Sequence, residues 1–153
     1  RPELVVGGMP VGKLYEAPQP VAEVLRPGQS EGSIVVVIAT DAPLDGRQLT
    51  RLAKRAALGL ARTGSTARHG SGDFMLAFST ANIIPHYPKE PMFQQAHLAD
   101  THLNPMIATT VEATEEAILN ALTMATTVVG RDGHRAEAIS LGRLRAILDQ
   151  HTK

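Results

Sequence analysis

The chain has 153 residues, enough to bury one hydrophobic core and too few for two ordinary domains. Fifteen Lys and Arg balance fifteen Asp and Glu, and there are only two Tyr and three Phe, so both the positive field and the stacking surfaces of a nucleic-acid binder are missing. There is no cysteine, which removes disulfides, thiolate metal sites and a cysteine nucleophile, and no apolar run approaches the roughly 20 residues that cross a bilayer. No signal-peptide pattern opens the sequence, and the expected compartment is cytoplasmic. The periplasm stays open because the sequence starts at Arg1 and not at a methionine.

Leu4-Val5-Val6-Gly7-Gly8 and Met9-Pro10-Val11-Gly12-Lys13-Leu14-Tyr15 predict two short strands around a glycine-proline turn. Residues 17–32 hold Pro18, Pro20, Pro27, Gly28, Gln29 and Ser30, a composition that disfavours helix and strand and predicts an exposed, accessible linker. Gly32-Ser33 then meets Ile34-Val35-Val36-Val37-Ile38-Ala39-Thr40, a run without polar alternation that predicts a strand covered on both faces. Ser33 stands at the mouth of that strand, where rigid backbone can aim a nucleophilic hydroxyl. A glycine-serine pair also opens many strands with no chemistry attached.

Turn residues at 40–46 offer N-caps for a helix over Gly46–Arg62, whose buried face is expected to carry Leu49, Leu52, Ala53, Ala56, Ala57 and Leu60. Arg47, Arg51, Lys54 and Arg55 fall on the other, solvated side. The small, polar stretch 63–73 ends in Gly70-Ser71-Gly72-Asp73 and runs straight into Phe74-Met75-Leu76-Ala77-Phe78-Ser79-Thr80, a second strand. If the two strands are neighbours, Ser33, Ser71 and Asp73 converge at one end of the sheet, with Ser71 and Asp73 on one face because they are two residues apart. A hydroxyl beside a carboxylate and opposite a second hydroxyl can act as a proton relay for nucleophilic attack. The same four residues also make an ordinary tight turn.

Residues 81–100 lack periodicity and predict an excursion. His86, His97 and His102 match no common zinc spacing and read as scattered surface histidines. Asn104-Pro105 is expected to open a helix that reaches residue 128 and closes at Gly130, with Ile107, Val111, Thr114, Ile118, Leu122 and Ala125 inward. Glu112, Glu115 and Glu116 in its first half suit the helix dipole, or one of them holds a substrate ammonium group. Arg131-Asp132-Gly133-His134 predicts a turn, and Ser140 is expected to cap a last helix with Leu141, Leu144, Ile147 and Leu148 inward.

Several of these blocks together, Gly32-Ser33-Ile34-Val35-Val36-Val37, Thr40-Asp41-Ala42-Pro43-Leu44, His69-Gly70-Ser71-Gly72-Asp73, Ala77-Phe78-Ser79-Thr80-Ala81-Asn82 and Glu112-Ala113-Thr114-Glu115-Glu116-Ala117-Ile118, closely resemble the C-terminal part of the self-processing L-aminopeptidase/D-amidase-esterase family, which includes the β-peptidyl aminopeptidases. The resemblance implies an α/β fold, part of a four-layer α-β-β-α sandwich of Ntn-hydrolase type that is incomplete without its N-terminal half. It implies an inactive precursor cleaved at Gly32-Ser33, with Ser33 as nucleophile assisted by Ser71 and by the carboxylate of Asp73, where some family members carry glutamate. Residues 1–32 would then be the end of the large-subunit region plus linker and 33–153 the small catalytic subunit region, one domain overall.

The implied activity is removal of N-terminal residues from short peptides, amides or esters through an acyl-serine, which requires no metal or organic cofactor. The implied partners are an N-terminal large-subunit region and copies of the same heterodimer, without nucleic acid or membrane. Either further residues complete the site or this piece is inactive alone. An acyltransferase of ornithine acetyltransferase type shares the architecture but self-processes at threonine, and a non-catalytic interaction module is the third expectation.

Overall fold

Two parallel strands joined by a helix form the centre of the structure. The computed structural model describes residues 3–15 and 32–151, so all of the predicted linker except Gly32, which is exposed, lies outside the described residues. The elements are α1 (Val11–Leu14), β1 (Val35–Thr40), α2 (Gly46–Arg62), β2 (Phe74–Ser79), α3 (Leu103–Thr123), the two-residue strands β3 (Val128–Val129) and β4 (Arg135–Ala136), and α4 (Leu141–His151).

β1 and β2 run parallel in unbroken register, from Val35 opposite Phe74 to Thr40 opposite Ser79. A parallel pair needs a crossover, and α2 supplies it, packing against both strands. The alternation along each strand places Val36, Ile38, Met75 and Ala77 on the half-covered inner face. Val35, Val37, Phe74, Leu76 and Phe78 line the outer face and stay exposed, Val35 and Phe74 at 68% and 69%. The expectation of a strand covered on both faces is thereby corrected. A continuous apolar run makes both faces fit to be covered, but the described residues cover one.

α2 has the predicted limits because its start is closed by a capping box. Asp45 Oδ1 accepts from the Gln48 N–H at 2.7 Å, and Gln48 Oε1 accepts from the Asp45 N–H at 3.2 Å. Its buried positions are Gln48, Leu52, Ala56 and Gly59, whereas Ala57 is exposed. Gln48 can be wholly buried because Nε2 donates to the Leu98 carbonyl at 2.6 Å and to Asp100 Oδ1 at 2.8 Å. Gly59 is where α2 and α3 touch: a Cβ there would lie 2.5 Å from the Val111 carbonyl oxygen and 2.7 Å from Thr114 Cβ. The alanine-rich face therefore serves helix-helix contact as well as the sheet.

α3 starts one residue before Asn104, after a 3₁₀ turn over Asp100–His102, and ends at Thr123 instead of at residue 128. Asn104 and Pro105 sit inside its first turn, and Ala125 is exposed. Val128 and Val129 instead pair antiparallel with Ala136 and Arg135 around the predicted 131–134 turn. Leu44, Leu52 and Leu103 form the core beneath α2 and α3. Each such fully buried leucine contributes on the order of 1.5–3 kcal/mol of transfer free energy.

A second core joins Val11 to Leu144 and Ile147 of α4, while Leu141 stays exposed. Leu144 N–H donates to the Ser140 carbonyl at 2.9 Å, and Arg143 N–H donates to Ser140 Oγ at 3.4 Å, as expected of a capping serine. The N-terminal segment departs from the predicted pair of strands. Gly7 and Gly8, with φ of 56° and 80°, make a tight hairpin turn in which Val6 and Met9 exchange two hydrogen bonds of 3.0 Å. Past Met9 the chain winds into α1, so the ribbon is one residue pair long. The Val5 N–H donates to the Thr63 carbonyl at 3.1 Å, which holds this segment against the end of α2.

Candidate active site

Parallel pairing brings the starts of β1 and β2 to the same edge, so residues 32–34 lie beside residues 71–74. The Phe74 N–H donates to the Ile34 carbonyl at 2.9 Å, and the Ile34 N–H donates to Asp73 Oδ1 at 3.2 Å. The incoming loop closes first in a turn in which the Ser71 N–H donates to the Arg68 carbonyl at 2.8 Å. The tight turn thus lies just ahead of Ser71-Gly72-Asp73, leaving those three residues alongside β1.

Ser71 Oγ donates to Asp73 Oδ1 at 2.6 Å, within the range of a charge-assisted O–H···O⁻ bond. The same oxygen lies 3.2 Å from the Gly32 carbonyl oxygen. A hydroxyl has one proton, so it serves one acceptor at a time, and Asp73 is the closer. Ser33 Oγ accepts from the Gly72 N–H at 2.9 Å. The three predicted side chains are thus brought to one place, with the Gly72 amide as the direct partner of Ser33. Gly32 has a φ of 89°, in the left-handed region.

Gly32, Ser33, Ser71 and Asp73 border a cleft of about 430 Å³, with Leu60 and Leu122 as apolar wall and the Glu3–Arg68 ion pair among its polar lining. Ser33 is exposed, and Ser71 and Asp73 are half-buried. An accessible hydroxyl next to a fixed hydroxyl–carboxylate pair, with a backbone N–H directed at it, is an arrangement able to move a proton and hold a reacting oxygen.

Other candidates lie elsewhere. Glu115 pairs with Arg62 at 3.2 Å across the α2–α3 contact, and Glu112 and Glu116 are exposed. His86 packs edge-on against Tyr87 at 4.4 Å between ring centroids, and among the described residues no three His, Asp or Glu side chains gather as a metal site would require. Among the described residues, no helix is long and apolar enough to cross a membrane.

Of the cations on α2, Arg47 forms a two-pronged pair with Asp100 at 2.7 and 2.9 Å, and Arg51 approaches the same carboxylate at 3.6 Å. The hydrogen bond from Arg47, followed by that from Gln48, holds the Asp100 carboxyl well below the usual carboxylate range. Arg47 is raised in turn, chiefly by the same bond. The sequence offers a solvated face, or an anion-binding strip, for Arg47 and Arg51; in the structure they engage the carboxylate of Asp100. Nothing in the periodicity of either segment signals a clasp between residues 53 apart.

Comparison with known proteins places these features in a family. Residues 1–136 match peptidase family S58. The β-peptidyl aminopeptidase BapA of Sphingosinicella microcystinivorans is 38% identical over 164 residues, an alignment that takes in 100% of this chain and 41% of that protein. A solved structure from Pyrococcus horikoshii OT3 superposes with a TM-score of 0.84 at 45% identity, covering 100% of this chain and 40% of the other. The L-aminopeptidase D-Ala-esterase/amidase of Ochrobactrum anthropi, described as a prototype of the serine aminopeptidases and a variant of the Ntn-hydrolase fold, superposes with a TM-score of 0.82 at 36% identity, covering 98% and 40%. The chain thus spans about two fifths of the length of these relatives. Its α/β layers are part of the four-layer sandwich of the Ntn-hydrolase type. On this sequence match and this superposition, the chain belongs to peptidase family S58.

Proposed function

We propose that the protein is a self-processing serine aminopeptidase in which residues 1–32 end the large-subunit region and residues 33–153 form the small catalytic one. The observation that carries this reading is the Ser71–Asp73 pair at 2.6 Å, with the Ser71 hydroxyl 3.2 Å from the Gly32 carbonyl oxygen, beside the hydroxyl of Ser33. In self-cleavage, Ser33 Oγ bonds to the Gly32 carbonyl carbon, the Gly32–Ser33 C–N bond breaks, and the hydroxyl proton ends on the freed amine of Ser33. Water then splits the resulting ester into the Gly32 carboxylic acid and the Ser33 hydroxyl. As charge develops on the Gly32 oxygen, the single Ser71 proton swings from Asp73 Oδ1 to that oxygen.

The mature enzyme repeats the chemistry on substrates. Ser33 Oγ bonds to the substrate's acyl carbon while the α-amine of Ser33, with an ordinary pKa of about 8, takes the hydroxyl proton and passes it to the leaving amine or alcohol as its bond to that carbon breaks. Water then hydrolyses the acyl-serine to the free acid and the Ser33 hydroxyl. The names of the relatives support peptides, amides or esters with a free amino end as substrates, and we propose short ones. The rest of the cleft, the partner large-subunit region and the oligomer of heterodimers belong to the same proposal. The test is intact-mass analysis of the full-length protein with an aminopeptidase assay on aminoacyl p-nitroanilides. A fragment starting at Ser33, lost together with activity in Ser33→Ala, is expected. Full activity in Ser33→Ala would sink the assignment.

A further inference from the structure

We infer that Gly32 is a positioning residue for that self-cleavage through its backbone conformation and not through its small size; the inference rests on the function proposed above. Any residue without a side chain lowers steric hindrance at an attacked carbonyl, so glycine before the cleaved bond is unremarkable on that ground. The φ of 89° is more specific. Residues with a Cβ avoid this region by about tenfold in population, asparagine and aspartate least so.

Two contacts set up the reacting atoms, the approach of Ser71 Oγ to the Gly32 oxygen at 3.2 Å and the Gly72 N–H to Ser33 Oγ at 2.9 Å. Returning φ from 89° to the ordinary value near −60° is a rotation of about 150°, which must displace either the chain entering Gly32 or the Gly32 carbonyl. Ser71 is held more closely by Asp73, at 2.6 Å, than by that carbonyl. The 3.2 Å contact with Ser71 therefore does little to hold the carbonyl in place, and a carbonyl displaced by this rotation turns away from Ser71. The reactive arrangement is then sampled only by the minor population, and the cleavage rate falls by that fraction.

Side-chain size and backbone preference predict different orders. Asparagine and leucine have nearly the same shape, yet only asparagine tolerates the left-handed region. The experiment follows self-cleavage of the full-length protein by intact mass for Gly32→Asn, Gly32→Leu and Gly32→Ala, with thermal unfolding of each precursor and Ser33→Ala as control. Expected is cleavage of Gly32→Asn within about threefold of the parent, with Gly32→Ala and Gly32→Leu slower by about tenfold or more. Should one of the slow variants fail to fold, the other still supplies the comparison with asparagine. An order set by size, with alanine fastest and asparagine and leucine alike, overturns the inference while leaving the proposed function standing. Cleavage that persists in Ser33→Ala, or a parent that never cleaves, overturns the function and the inference with it.

Discussion

Asp73 ties the heads of the two strands together, its Oδ1 accepting the Ile34 N–H at 3.2 Å across the sheet while holding the Ser71 hydroxyl at 2.6 Å. One carboxylate oxygen therefore has a structural partner and, under the proposed function, a catalytic one. The two can be separated by substitution. Asp73→Asn keeps an oxygen for Ile34 and removes the charge, so the unfolding midpoint is expected to stay near that of the parent while self-cleavage and peptidase turnover fall about 10²-fold or more. Asp73→Ala is expected to lose about 1–2 kcal/mol of stability in addition, read by urea unfolding of the full-length protein.

The same substitution is expected to act with opposite sign at two helical glycines. At Gly59 a methyl group meets the Val111 carbonyl oxygen at 2.5 Å, a backbone atom that cannot rotate aside. The gain in helix propensity of about 1 kcal/mol is outweighed by overpacking, and Gly59→Ala is expected to destabilise by about 1–2 kcal/mol. At Gly142 in α4 a methyl group meets nothing within 4 Å. Gly142→Ala is expected to stabilise by about 0.5–1 kcal/mol. Denaturant unfolding of both variants checks the pair.

Asp100 gives the fold a pH-dependent clasp. Its carboxyl is depressed below the ordinary range by Arg47 and Gln48, so folding favours the ionised form. The contribution is complete above the unfolded value of about 4 and is lost as pH falls through the lower folded value. Asp100→Asn is therefore expected to lower the unfolding temperature by a constant amount between about pH 5 and pH 7, with the difference closing below about pH 4. A gap that widens on acidification would contradict the assignment.

How far the sequence foretold this arrangement depends on which kind of atom did the work. The limits of α2 are legible in the sequence, because turn residues at 40–46 offer N-caps and the leucines keep helical spacing; the capping box between Asp45 and Gln48 appears only in the structure. The meeting of Ser33, Ser71 and Asp73 followed from assuming that the two apolar runs are neighbours. The contacts that refine it, the Gly72 amide on Ser33 and the Ser71 hydroxyl near the Gly32 oxygen, involve backbone groups that every residue owns and no pattern marks. Gln48 was overlooked for a different reason: a polar side chain can be buried once its partners are fixed, and those partners, Leu98 and Asp100, are 50 and 52 residues away. The segment after Met9 forms a helical turn and not the expected strand, because a short apolar run with a proline and a glycine suits either.

Ser71 stands 39 positions downstream of Gly32, and their contact exists only when β2 lies alongside β1. A nascent or unravelled polypeptide has no such neighbour for that carbonyl. Under the proposed chemistry, scission becomes a timed event that waits for the second strand to arrive, so the nucleophile is released only in molecules already assembled to use it.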